Sequence, residues 1–252
     1  MNYKKIIPCL DVKNGKVSKG IGFENVKEVG NVTEFAMEYE KQGADEITLL
    51  DITATLENRD TFTDILRETA KCVNIPIAIG GGIKSIEDFE RLFNAGASKV
   101  SINSAAVKNT QLIKEASKKF GSEKVIVAID VAKQNDGSYT VIVNGGTKDT
   151  GKDALSWAKE VESLGAGEIL LTSQTADGTK EGYDIEITKA IADAVKIPVT
   201  ASGGCGKIED FKEVFEKTNV ASALAASMFH YKETTVKEVK EYLKNNGIAV
   251  KL

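Results

Sequence analysis

Two aspartates take the third place in matching tetrads, Cys9-Leu10-Asp11-Val12 and Ala128-Ile129-Asp130-Val131. A carboxyl at the end of an apolar run can give or take a proton, and two of them facing one substrate supply a general acid and a general base. Burial that separates their pKa values would divide the two roles. The alternative for each is an Asx-type bond to the loop that follows it; the matched pair favours catalysis. Nucleophilic chemistry has less material. Cys9, Cys72 and Cys205 are widely separated and His230 is the single histidine, so a Cys-His or Ser-His system has one possible base. The cysteine spacing suits neither a disulfide framework nor a zinc site, and no metal or cofactor is expected.

Those residues need a frame that brings them together. Eight short β-rich apolar runs recur: Ile6 to Leu10, Glu46 to Leu50, Ile75 to Ile79, Lys99 to Ile102, Val125 to Ile129, Glu168 to Leu171, Ile197 to Ala201 and Ala221 to Ala225. Amphipathic stretches separate them, such as Val32, Phe35, Ala36 and Tyr39, spaced for one helix face. Runs apolar at nearly every position, alternating with helices, predict parallel strands covered by helices. Eight such units predict a (β/α)8 barrel, one domain over residues 1–252 with half-barrels of about 1–120 and 121–252. An open doubly wound sheet is the alternative, but Asp11-Val12-Lys13-Asn14-Gly15 stands where its glycine fingerprint belongs.

Two connections are longer than a barrel needs, from Val12 to about Gly30 and from Val131 to about Gly151. The second holds Asp136-Gly137 between alternating segments and reads as a hairpin insertion. Both leave the C-terminal strand ends, the catalytic face of this fold, and are candidate lids.

The halves of the chain repeat. Gly81-Gly82 and Ile86-Glu87-Asp88-Phe89 return as Gly203-Gly204 and Ile208-Glu209-Asp210-Phe211, an offset of 122 (81 to 203, 86 to 208). Glycines after strands 3 and 7 let backbone N–H groups approach an anion, and the helix that follows each is expected to add its positive dipole end. Asn103-Ser104 and Ala226-Ser227 would complete each nest. The device occurs twice, which predicts a substrate with a phosphate at either end, stretched across the mouth between Asp11 and Asp130. Lys19, Asp51, Ser173, Asp177, Gly178 and Thr179 are further candidates for the mouth, Lys19 from the first long loop.

Composition limits the partners. With 33 basic against 37 acidic residues the formal charge is -4, so no summed positive field gathers nucleic acid or an anionic membrane. The 42% hydrophobic and 28% charged shares are those of a soluble globular chain with a sizeable core. The first residues carry no long apolar leader and no run approaches membrane-spanning length, so a cytoplasmic protein is expected.

Ile6-Ile7-Pro8-Cys9-Leu10-Asp11-Val12 with Lys19-Gly20, Asp51-Ile52-Thr53-Ala54, Gly80-Gly81-Gly82-Ile83, Lys99-Val100-Ser101-Ile102-Asn103 and Leu170-Leu171-Thr172-Ser173 resemble the cyclase subunits of imidazole glycerol phosphate synthase. Asp177-Gly178-Thr179-Lys180, Ala201-Ser202-Gly203-Gly204 and Ala225-Ala226-Ser227 agree as well. The resemblance implies that ammonia attacks the ribulosyl carbonyl of a phosphoribulosyl-formimino aminoimidazole carboxamide ribotide. Cleavage and ring closure follow, giving imidazole glycerol phosphate and the aminoimidazole carboxamide ribotide in histidine biosynthesis. It makes Asp11 and Asp130 the acid-base pair. No Cys-His glutaminase constellation is found in this chain, so a separate glutaminase subunit is implied as ammonia donor. The resemblance also makes Lys5, Glu46, Lys99 and Glu168, at the starts of strands, a charged gate for ammonia; the alternative is a stabilising ion-pair network at the barrel bottom.

The chain departs from that pattern at three places. Lys5 stands where the family usually has Arg, Thr175 where it has Asp, and Gly145-Gly146-Thr147 where it often has Gly-Gly-Arg. A lysine loses the planar fork of an arginine, so the gate is where a difference is expected. Two related readings stay open: the bisphosphate isomerase of the same pathway, and a paralogue that channels ammonia to another pathway.

Overall fold

The computed structural model describes residues 3–13, 15–21, 24–52, 54 and 63–252, with the backbone alone for 19–21 and 24–29. Eight strands close on themselves: β1 (Lys5–Lys13), β4 (Ile47–Asp51), β5 (Ile77–Gly80), β6 (Lys99–Ile102), β7 (Val125–Lys133), β10 (Glu168–Ser173), β11 (Val199–Ser202) and β12 (Ser222–Ala225). Each pairs in parallel with the next, and β12 returns to β1 through Lys5 opposite Ser222 and Pro8 opposite Ala225. The barrel predicted from the eight apolar runs is therefore present.

Closure explains why those runs are apolar throughout. In β1, residues Ile6 to Val12 are all buried, because one face meets the helices and the other the barrel interior. Outward residues such as Ile6, Leu10, Leu49, Ile79, Val127 and Ile169 join the large core under the helices. Inward residues Ile7, Cys9, Ala78, Ile126, Leu170 and Leu224 form a second, smaller cluster along the barrel axis.

The helices follow the expected alternation: α1 (Val32–Lys41), α2 (Thr63–Cys72), α3 (Ile86–Asn94), α4 (Ser104–Lys108), α5 (Gln111–Phe120), α6 (Ala154–Ser163), α7 (Ile185–Ala194), α8 (Ile208–Lys217), α9 (Ser227–His230) and α10 (Val236–Asn245). No helix among the described residues is long and apolar enough to cross a membrane.

Strands β5 and β11 begin later than the apolar runs suggested, at Ile77 and Val199, just past Pro76 and Pro198. The residues before each proline are claimed by a helix. Glu40 accepts the amides of Asn74 and Ile75, and Glu162 accepts those of Lys196 and Ile197, again 122 positions apart.

Both long connections are β structure and extend the sheet. After β1, strand β2 (Lys16–Ile21) turns back antiparallel to β1 and pairs with β3 (Glu24–Asn31). After β7, strand β8 (Tyr139–Val143) is reached through the Gln134–Ser138 turn, where Gly137 has φ 86, and pairs with β9 (Lys148–Asp153). The hairpin read from Asp136-Gly137 is present.

Candidate active site

Strands β1 and β7 lie four steps apart either way around the eight-stranded ring, so Asp11 and Asp130 stand on opposite walls. Both line one cavity of about 310 Å³ at the C-terminal strand ends. The same cavity is lined by Asp51, Gly81, Gly82, Asn103 and Ser104 from the first half and by Asp177, Gly178, Gly203, Gly204, Ala226 and Ser227 from the second. All of these were predicted for the mouth, and they share one space.

The carboxyls have different surroundings. Cys9 Sγ donates to Asp11 Oδ1 at 3.6 Å, and Asp11 is 8% exposed. Asp130 is pushed up to about 7, first by burial; Asn103 pulls it back, the Asp177 carboxylate pushes it further, and Thr172 pulls it down. Asn103 Nδ2 donates to Asp130 Oδ2 at 2.8 Å, while its Oδ1 is buried with no hydrogen-bond partner among the described residues. A carboxyl near 7 is half protonated at neutral pH and can act as a proton donor there.

The paired glycines are matched in detail. Gly81 has φ 99 and a Cβ there would strike the carbonyl oxygen of Asp51; Gly203 has φ 89 and a Cβ would strike that of Ser173, 122 positions on from Asp51. A left-handed φ with backbone against it admits only glycine. Close backbone packing thus accounts for Gly81 and Gly203, and for Gly204 as well, where φ is 96 and a Cβ would strike the Gly182 carbonyl oxygen; these three and Gly82 line the cavity.

The expected dipole contribution from the helices after β5 and β11 is corrected. Asp88 Oδ2 accepts the amides of Lys84 and Ser85 ahead of α3, and Asp210 Oδ2 accepts those of Gly206 and Lys207 ahead of α8. Both carboxylates are buried, so amides that would greet an anion already have one. Glycine backbone, Asn103, Ser104 and Ser227 remain among the cavity's lining as neutral groups for an anion.

Other predicted residues fall elsewhere. Ser173 Oγ donates to Asp184 Oδ2 at 2.9 Å, and Asp184 caps α7. Thr179 Oγ1 closes its own turn onto the Ala176 carbonyl at 2.7 Å. Neither lines the cavity. Lys19 lies on β2, with its side chain outside the described residues. His230 is buried and bonded through Nδ1 to Tyr39 Oη at 2.6 Å, away from the cavity that Cys9 and Cys205 line.

The departures are accommodated by neutral bonds. Thr175 Oγ1 accepts the Lys133 amide at 3.3 Å, and Thr147 Oγ1 donates to the Asn144 carbonyl at 2.8 Å. Asn144, Gly145 and Gly146 all have positive φ. That turn is pinned at the cavity edge by Asn144 N donating to Ser104 Oγ (2.9 Å) and Gln174 Nε2 donating to the Gly146 carbonyl (2.9 Å). Sequence reasoning missed Gln174 and the cavity-lining lysines Lys84, Lys108 and Lys180. The position of Lys108 four residues beyond Ser104 was the available signal.

At the opposite end of the barrel Lys99 Nζ bridges Glu46 Oε2 and Glu168 Oε2, each at 2.7 Å, and Thr200 donates to Glu168 Oε1. Burial pushes the Glu46 carboxyl up, and Lys99 opposes it. Burial pulls Lys99 down, but the Glu168 and Glu46 carboxylates outweigh it and leave it raised. Lys5 is the loose member, 3.8 Å from Glu46 and 47% exposed. The axial cluster around Ile7, Ile126 and Leu170 separates this ion-pair group from the cavity.

The histidine biosynthesis protein family matches residues 5–235. The chain is 56% identical over 250 residues to the imidazole glycerol phosphate synthase subunit HisF of Clostridium botulinum strain Okra (type B1), covering 99% of each chain. The protein of the same name from strain Kyoto (type A2) is 56% identical and that from strain 657 (type Ba4) 55%, with the same coverage.

Proposed function

From the premise that this chain belongs to the imidazole glycerol phosphate synthase subunit HisF family, within the histidine biosynthesis proteins, we propose how its cavity performs the cyclase reaction. The substrate is a phosphoribulosyl-formimino aminoimidazole carboxamide ribotide. One phosphate rests against Gly82, Asn103 and Ser104 and the other against Gly204, Ala226 and Ser227, which stretches the ribulosyl carbon between Asp11 and Asp130. The observation that carries this reading is a single cavity with two acids on opposite walls and a matched glycine pair toward either end.

Ammonia adds to the ribulosyl carbonyl. Asp130, with its carboxyl held near 7, gives the proton that turns the carbonyl oxygen into a hydroxyl and, once reprotonated by the protons the amine has shed, gives the second that lets it leave as water. Asp11 takes protons from the adding amine. Closure of the ring and breakage of the formimino C–N bond release imidazole glycerol phosphate and the aminoimidazole carboxamide ribotide. Asn103 holds Asp130 in place through Nδ2 and offers its Oδ1, unpartnered among the described residues, to the substrate.

Ammonia comes from a separate glutaminase subunit docked at the other end of the barrel. Lys5, Glu46, Lys99 and Glu168 form the gate there, and the apolar axis beyond it admits neutral ammonia while disfavouring ammonium and other ions. Identity of 55–56% along the whole chain with proteins named for this subunit favours the cyclase over the related isomerase. In an assay with ammonium salt, Asp11→Asn and Asp130→Asn are each expected to slow cyclisation by at least about a hundredfold. Near-normal rates in both variants would remove the assignment.

A further inference from the structure

Asn103 stands just past β6, on the inward side that Lys99 and Ser101 take along that strand, and it lines the cavity with Asp130. Its Nδ2 donates to Asp130 Oδ2 at 2.8 Å, while its Oδ1 is buried with no hydrogen-bond partner among the described residues. A buried acceptor without a donor costs free energy that a bound molecule carrying an N–H or O–H recovers. Among the described residues that line the cavity, Asn103 is the one side-chain amide. The other polar side chains there are the carboxyls of Asp11, Asp51, Asp130 and Asp177, together with lysines, hydroxyls and thiols.

We propose that Asn103 Oδ1 is the seat of the attacking ammonia, so that one planar amide holds the nucleophile on its oxygen and the acid Asp130 on its nitrogen. This rests on the cyclase reading and says which of the two reactants the oxygen takes. Ammonia has three N–H groups and one lone pair, and only the lone pair attacks. A productive seat therefore accepts an N–H and leaves the lone pair alone. A carboxylate favours ammonium, which has no lone pair to give. Lysine, hydroxyl and thiol groups can donate into the lone pair. An amide oxygen is neutral and only accepts. Oδ1 and Nδ2 lie about 2.2 Å apart across the amide carbon, so ammonia on the one sits beside the carboxyl on the other. The new N–C bond then forms from the lone pair, the carbonyl π pair moves to oxygen and takes the Asp130 proton, and the extra proton on nitrogen passes to Asp11.

The test is steady-state cyclisation by the full chain at saturating ribotide and fixed pH, with ammonium chloride varied so that ammonia is the titrant. Asp130→Asn removes the acid and keeps Asn103, so kcat is expected to fall at least about a hundredfold while the KM for ammonia stays within about twofold of the wild type. Asn103→Ala is expected to lower kcat and also to raise the KM for ammonia at least about fivefold, with the KM for the ribotide within about twofold. Asn103→Leu, of nearly the same shape with neither donor nor acceptor, should give the same split and stands in if the alanine variant does not fold. An Asn103 that acts only by positioning Asp130 would repeat the Asp130→Asn pattern, with kcat down and the KM for ammonia unmoved, and that result would overturn the inference. So would a rise confined to the KM for the ribotide. Either leaves the cyclase reading standing. A wild type that forms no imidazole glycerol phosphate at any ammonium concentration would remove that reading and the inference with it.

Discussion

Replacing Asp130 by asparagine separates what the acid does for chemistry from what it costs the fold. Burial and the nearby Asp177 carry its carboxyl from an ordinary 3.8 up to about 7, against the opposing bonds from Asn103 and Thr172. At about 1.36 kcal/mol per pH unit, that is a preference of about 4 kcal/mol for the protonated form. Water in the cavity screens part of it, leaving about 2–4 kcal/mol. In the unfolded chain the group ionises near 3.8, whereas in the folded protein it does so only near 7. Its influence on stability is therefore most favourable below 3.8, is lost as pH rises toward 7, and is flat above. Asparagine has nearly the same shape, keeps an acceptor for Asn103 Nδ2 and has no charge to bury. Urea unfolding should show Asp130→Asn more stable than the wild type by about 2–4 kcal/mol at pH 8 and equal to it at pH 4. A variant no more stable than the wild type at pH 8, or one with the same gain at both pH values, would refute the reasoning.

Three further substitutions probe the frame. Lys99→Met leaves Glu46 and Glu168 without their shared cation and should cost about 3 kcal/mol in urea unfolding, whereas Lys5→Met, removing a half-exposed ammonium 3.8 Å from Glu46, should cost under about 0.5 kcal/mol. Gly81→Ala meets both a left-handed φ and the Asp51 carbonyl and should cost about 2–4 kcal/mol, against about 1 kcal/mol for Gly43→Ala, where φ is 86 but nothing lies near; thermal unfolding of the pair checks it. Tyr139→Phe removes a phenol that donates to Asp184 at 3.1 Å, so hydrogen exchange should quicken across residues 134–143 by an amount worth about 1 kcal/mol while the barrel strands keep their protection.

The barrel was legible because closure buries both faces of every strand, which writes itself as eight apolar runs. The matched aspartates and glycines were legible because duplication repeats them at a fixed offset. What the runs could not show is competition for backbone groups. Ile75 and Ile197 read as strand, but Glu40 and Glu162, more than thirty residues earlier, take their amides. The helix starts after Gly82 and Gly204 read as anion sites, yet Asp88 and Asp210 occupy the amides there. Ser173 sits beside a cavity residue in sequence, but the alternation of side chains along β10 turns it toward Asp184 while Thr172 lines the cavity. The connection after β7 was legible as a hairpin from Asp136-Gly137, whereas the one after β1 was not read as strand; its register with β1 makes it sheet too.

Turnover by the purified chain, given the bisphosphate ribotide and ammonium salt with no glutamine and no partner, tests the central claim most directly. Imidazole glycerol phosphate and the aminoimidazole carboxamide ribotide should form in equal amounts, and formation of both should fall away in Asp11→Asn. An unchanged ribotide, or interconversion of its sugar without ring closure, would contradict the account.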